Sequence, residues 1–176
     1  MRRIILPYGA IAGAVTIGTM IAFTLPSEDG VGGSVWLGFL VMILALSLIY
    51  LGIRRYRDHE LGGVIRFRTG VLLGLGITLV AGTVYVAAWE VYLSVTDYAF
   101  IDDYTESVIA GREAEGMDGA ALQAEIESMD RLKEQYANPA FRLPMTFMEI
   151  FPVGLFITLL SAGLLRKSHR VSADTG

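Results

Sequence analysis

VLLGLGITLVAGTVYVAAWEVYLSV, residues 71–95, is the stretch that decides the fold. Twenty-five residues pass with one charge, Glu90, and no proline. A helix rises about 1.5 Å per residue, so about 20 residues cross the roughly 30 Å hydrocarbon core of a bilayer. A helix this long and apolar on every side has its place in lipid. Three further runs qualify on length: Ile4 to Leu25, Val35 to Ile53 and Phe147 to Leu165. The sequence therefore predicts an all-α fold, a four-span transmembrane helical bundle. It forms a single integral membrane domain over residues 1–176, with spans at about 4–25, 35–53, 71–95 and 147–165.

The fourth run includes Glu149 and Pro152, so its insertion needs an energy check. Its eleven Leu, Ile, Phe and Val residues contribute roughly −3 to −7 kcal/mol, against at most about +3 kcal/mol for one central carboxylate. The span inserts. Composition agrees: of 176 residues 53% are hydrophobic and only 18% charged, below the roughly 25% of soluble domains. Mean hydropathy is +0.53. With no cysteine, disulfides, zinc-thiolate sites and thiol catalysis are excluded. Arg2 and Arg3 ahead of the first run resemble a secretory leader, but the run is too long and Phe23 to Ser27 offers no small-x-small cleavage site. We read it as a retained first span.

Charge sets the expected orientation. Ten basic residues fall on one side: Arg2 and Arg3, then Arg54, Arg55, Arg57, Arg66 and Arg68, then Arg166, Lys167 and Arg170. The other side has Arg112, Arg131, Lys133 and Arg142. The positive-inside rule places both termini in the cytoplasm. Trp36, Trp89, Tyr92 and Tyr98 near the outer ends, with Tyr8, Tyr50 and Tyr56 near the inner ones, read as interfacial aromatic belts. The net charge of −4 hides a segment, residues 97–146, that carries 11 acidic and 4 basic residues. That segment excludes a nucleic-acid surface. It reads as an extracytoplasmic helical hairpin between spans three and four, with helices from Asp102 to Gly111 and Asp118 to Ala137 around a Gly116–Gly119 turn. Leu122, Ile126, Met129, Leu132 and Tyr136 form one stripe, with Glu127 and Arg131 paired at i, i+4 on the wet side. Asn138-Pro139 and Pro144 end it.

Within the spans, Gly9-x-x-x-Gly13, Ala14-x-x-x-Gly18 and Gly70-x-x-x-Gly74 are small-residue faces for close helix packing, within the bundle or in a homo-oligomer. No catalytic constellation stands out. His59 and His169 lie in basic segments away from apolar pockets, Gly62-Gly63 lacks a P-loop lysine, and there is no nucleophile elbow. No enzyme activity, no cofactor and no metal are expected.

Glu90 and Glu149 are the candidate ion or proton site, because a carboxylate inside a span ordinarily faces a partner or a wet cavity. Helical rise puts both near the outer interface, at a depth that permits a shared site. Thr146-Phe147-Met148-Glu149 also fits a capping box, a structural use for Glu149, and Pro152 bends the fourth helix. The candidate lipid head-group contacts are Arg54, Arg55, Arg57, Arg66 and Arg68, facing an anionic leaflet.

Arg55-Tyr56-Arg57-Asp58-His59-Glu60-Leu61-Gly62-Gly63, followed by Phe67, Gly70 and Gly74, resembles the loop signature of the bacterial membrane family of domain of unknown function 4199. Tyr136-x-Asn138-Pro139, the run from Thr146 through Glu149-Ile150-Phe151-Pro152-Val153-Gly154, and the closing Arg166-Lys167 resemble it as well. His59 stands where the family usually has Lys. The resemblance implies the four-span topology and a bacterial inner (cytoplasmic) membrane; the family carries no assigned activity, so the mechanism stays open. Two functions follow. One is a non-catalytic accessory or scaffold protein whose partners are the lipid bilayer, anionic lipid at the basic loop and a protein at the acidic hairpin. The other is a small proton- or ion-coupled transporter or channel using the two carboxylates.

Overall fold

The structure, a computed structural model, describes residues 1–24 and 35–166, without the side chains of 22–24 and 35–37. Leu25 and the first connection, the Trp36 ring, Lys167, His169 and Arg170 lie outside the described residues. Those described form seven helices: α1 (Arg2–Thr24), α2 (Val35–Leu46), α3 (Leu48–Glu60), α4 (Phe67–Val95), α5 (Ala99–Ala114), α6 (Gly119–Ala137) and α7 (Pro139–Leu165). Four candidate spans are long and apolar enough to cross a membrane, at Arg2–Ile21, Gly38–Glu60, Phe67–Val95 and Pro139–Leu165. The second joins α2 to α3 through Ser47, whose backbone stays right-handed helical and whose hydroxyl donates to the Leu44 carbonyl at 2.6 Å.

Three spans are longer than the hydropathy runs, the third by the four residues from Phe67 to Gly70. The basic stretch from Arg54 belongs to α3 and not to a loop, since Arg54 and Arg57 both reach Asp58, at 3.7 and 2.6 Å, and Arg is a good helix former. The chain turns only at Gly62 and Gly63, where φ is +62° and +89°. At the other end of the bundle α7 starts eight residues before the apolar run. The Asn138 side chain accepts from the Ala140 N–H at 3.0 Å, and Pro139 takes the first helical position, where an N–H has no partner anyway. Asn138-Pro139 is thus a start signal for α7 as well as a stop for α6. Thr146 falls inside α7, so the expected capping box is not formed, and Pro144 and Pro152 are both accommodated within the helix.

Helix α4 lies between α1 and α7. Gly9 and Gly13 of α1 abut the Ile77–Val84 stretch of α4 so closely that a Cβ on Gly13 would stand 2.5 Å from the Ala81 carbonyl oxygen. On the other face Gly70 meets Ala162, Gly74 meets Thr158, and Gly154 meets Thr78. Thr78 and Thr158 share a buried hydrogen bond of 3.3 Å. The α2–α3 span covers α1, α4 and α7, and brings Leu46, Ile49 and Ile53 to the core beside Leu73 and Ile77. Large apolar side chains such as Leu72, Leu79, Val91 and Leu164 face outward, which suits a lipid solvent.

The hairpin between spans three and four is α5–α6. Its turn uses positive φ at Gly116 and Gly119, and Lys133 binds Asp102 across it. The expected stripe holds: Leu122, Ile126, Met129 and Leu132 are half-buried and Tyr136 is buried. Glu127 and Arg131 are exposed but form no ion pair with each other, since two exposed side chains gain little from being held together. Gly111 lies within α5 and does not break it.

Candidate functional site

The register between α4 and α7 determines who meets whom. Moving along α4 from Gly70 to Gly74 to Thr78, the facing residues of the antiparallel α7 retreat from Ala162 to Thr158 to Gly154. Three more turns bring Glu90 level with Arg142. There the guanidinium Nε donates to Glu90 Oε1 and Nη2 to Oε2, both at 2.7 Å, while Nη1 donates to the Tyr136 carbonyl at 2.8 Å. Arg142 is 3% exposed, and its charge also lies over the rings of Tyr98 and Tyr136, 5.0 and 5.7 Å from their centroids. A bidentate carboxylate and a carbonyl match the planar fork of arginine, which makes the pairing specific as well as neutral.

Around this pair sits an aromatic cluster. Trp89 donates from Nε1 to the Tyr136 hydroxyl at 2.9 Å, stacks on Tyr92 at 5.1 Å and meets the edge of Phe100 at 4.9 Å. Burial pushes the Tyr136 phenol above its usual range and keeps it neutral. Trp89 is 2% exposed, so it is a core residue, not the interfacial belt residue that its position in the sequence suggested. The turn from α4 into α5 is held in the left-handed region at two successive non-glycine residues, Asp97 and Tyr98, at φ 50° and 60°. Such strain persists only where the surroundings over-determine it, and Arg142 over the Tyr98 ring is one such restraint.

Glu149 has a different environment. Tyr85, buried in α4 and in contact with Met20 of α1, donates its hydroxyl to Glu149 Oε2 at 2.9 Å. Among the described residues no Lys or Arg lies within ion-pair distance of it. The register sets Glu149 level with Thr83, seven residues or about 10 Å of helix from Glu90. The common depth expected from helical rise is therefore not found, because α7 starts at Pro139 and extends beyond Glu149 to meet Glu90 with Arg142. The two carboxylates thus have separate partners, Arg142 and Tyr85. Neither Arg142 nor Tyr85 stood out as a site residue in the sequence. Arg142 had a usable signal, because the Asn138-Pro139 start places it inside the last span. Tyr85 had none.

Of the arginines proposed for lipid, Arg54 and Arg57 share Asp58, whereas Arg55, Arg66 and Arg68 are exposed and have no ion pair among the described residues. They line the end of the bundle opposite the hairpin. No three His, Asp or Glu side chains come together among the described residues.

Four apolar spans, a glycine-packed bundle and a polar hairpin at one end are the make-up of a multi-pass membrane protein. The chain belongs to the family described as protein of unknown function (DUF4199), whose model matches residues 7–167. No curated protein and no solved structure matches it.

Proposed function

We propose that this is a non-catalytic accessory or scaffold protein of the bacterial inner membrane, with both termini cytoplasmic and the α5–α6 hairpin outside. One observation carries the reading. Glu90, an intramembrane carboxylate and the first candidate for ion chemistry, is neutralised by Arg142, and the same guanidinium holds the Tyr136 carbonyl at the end of α6. The charges there fasten the hairpin to the bundle, which leaves the acidic face of the hairpin as a fixed surface for a protein partner. The ten basic residues that the sequence assigns to the other side, eight of them among the described residues, support the orientation and an anionic-lipid contact.

The competing reading, a proton- or ion-coupled transporter or channel, draws on Glu149, which has no Lys or Arg within ion-pair distance among the described residues. Reconstitution decides between them. Purified protein in vesicles under an imposed potential, with a pH-sensitive dye inside, should pass protons and alkali cations no faster than empty vesicles. A flux that Glu149→Gln abolishes overturns the accessory reading.

A further inference from the structure

Glu149 lies on the outside of the bundle, not in it. It is exposed, and Met145, Met148, Pro152 and Phe156 share its face of α7 at helical spacing. Met148 and Phe156 are 57% and 66% exposed, so the carboxylate is set in an apolar surface. It is level with Thr83, inside the apolar stretch of α4 and about 25 Å of helix from the Arg166 end of α7. An unpaired carboxylate at that depth is unfavourable, and such residues ordinarily find a partner.

The face is also short of donors. Pro152 has no N–H for the Met148 carbonyl four residues back, so a second acceptor lies one residue from Glu149. Tyr85 supplies one donor to the carboxylate. What is missing is a group with several N–H donors and a positive charge. Among the described residues none is there to give one: Arg142 is engaged by Glu90 and Tyr136, and the other described basic residues lie on the hairpin or at the opposite end, while residues 22–37 contain no Lys or Arg. A second copy in the same orientation would bring no cation to this depth, and lipid tails carry none.

We infer that the α7 face around Glu149 docks a transmembrane helix of another protein that carries a lysine or arginine at mid-span. The inference rests on the accessory reading and names the chemistry of its partner; the test below reads association alone, so it can fail while the flux result stands.

The chain has no cysteine, so Glu113→Cys on the hairpin allows a single donor fluorophore. The labelled full-length protein is reconstituted in phosphatidylcholine vesicles with acceptor-labelled poly-leucine transmembrane peptides that have Arg, Gln or Leu at the centre. Energy transfer should show the Arg peptide binding about tenfold more tightly than the Leu peptide, as one interhelical polar contact supplies. Glu149→Gln, with helicity checked by circular dichroism, should bring the Arg peptide down to the Leu level. Glu149→Lys should instead prefer a peptide with a central Glu. Equal binding of Arg and Leu peptides to the wild type overturns the inference even if the variants fail to fold, and so does an Arg preference that survives Glu149→Gln. Glu149-dependent transfer between two labelled copies without peptide would overturn it in favour of self-association.

Discussion

Arg142 is the residue whose loss should cost most. Truncating Arg142, the buried member of a partly buried pair, leaves the Glu90 charge without compensation and also strips the Tyr136 carbonyl of its donor. Arg142→Met should destabilise the protein by roughly 3 kcal/mol in detergent unfolding. The double variant Glu90→Leu with Arg142→Met should recover most of that, because two apolar groups leave no charge stranded. A double variant as unstable as the single would mean that the guanidinium matters for its carbonyl and ring contacts rather than for the charge of Glu90. Neither member announces the other in the sequence. They are 52 residues apart, and only the packing of α4 on α7 makes them neighbours.

At the scale of the helix, glycines divide into those that pack and those that do not. Gly13 lies against the backbone of α4, whereas Gly18 meets nothing within 4 Å. Gly13→Ala should therefore destabilise by about 1–3 kcal/mol through overpacking, while Gly18→Ala should stabilise by up to about 1 kcal/mol through helix propensity; thermal unfolding in one detergent compares them. In the sequence both sit in small-xxx-small motifs, and composition cannot say which is used. The start of α7 gives a second test. Asn138→Ala should cost about 1 kcal/mol of cap, and Thr146→Ala should not act as a cap loss, since Thr146 lies in the helix interior. The early start was readable from Asn138-Pro139, yet Pro144 hid it, because a proline inside a helix resembles a stop until packing stabilises the helix around it.

Taken as a whole, the molecule has one basic and one acidic end. Reporter fusions at His59 and Gly176 should report cytoplasm and a fusion at Gly116 the opposite side; a cytoplasmic Gly116 would invert the orientation and move the partner surface with it. Each basic residue near an anionic surface is worth about 1 kcal/mol. Neutralising Arg55, Arg66 and Arg68 together should then reduce the phosphatidylglycerol retained on the purified protein much more than neutralising Arg54 and Arg57, which are already engaged by Asp58. Equal losses from both sets would point to a diffuse field and not to individual guanidiniums.

The sequence by itself determined the four spans, the hairpin between the last two and the apolar stripe of α6, as well as the family resemblance that the match over residues 7–167 bears out. Transfer free energies add residue by residue along a helix, so a span is legible without knowing its neighbours. Only the tertiary structure decided that Glu90 meets Arg142, that Glu149 meets Tyr85 and faces outward, and that Trp89 is core. Those outcomes depend on how far α4 is slid along α7 and how each helix is turned about its axis. That register comes from glycines and threonines interlocking between the two helices, a contact between distant segments that no local pattern encodes.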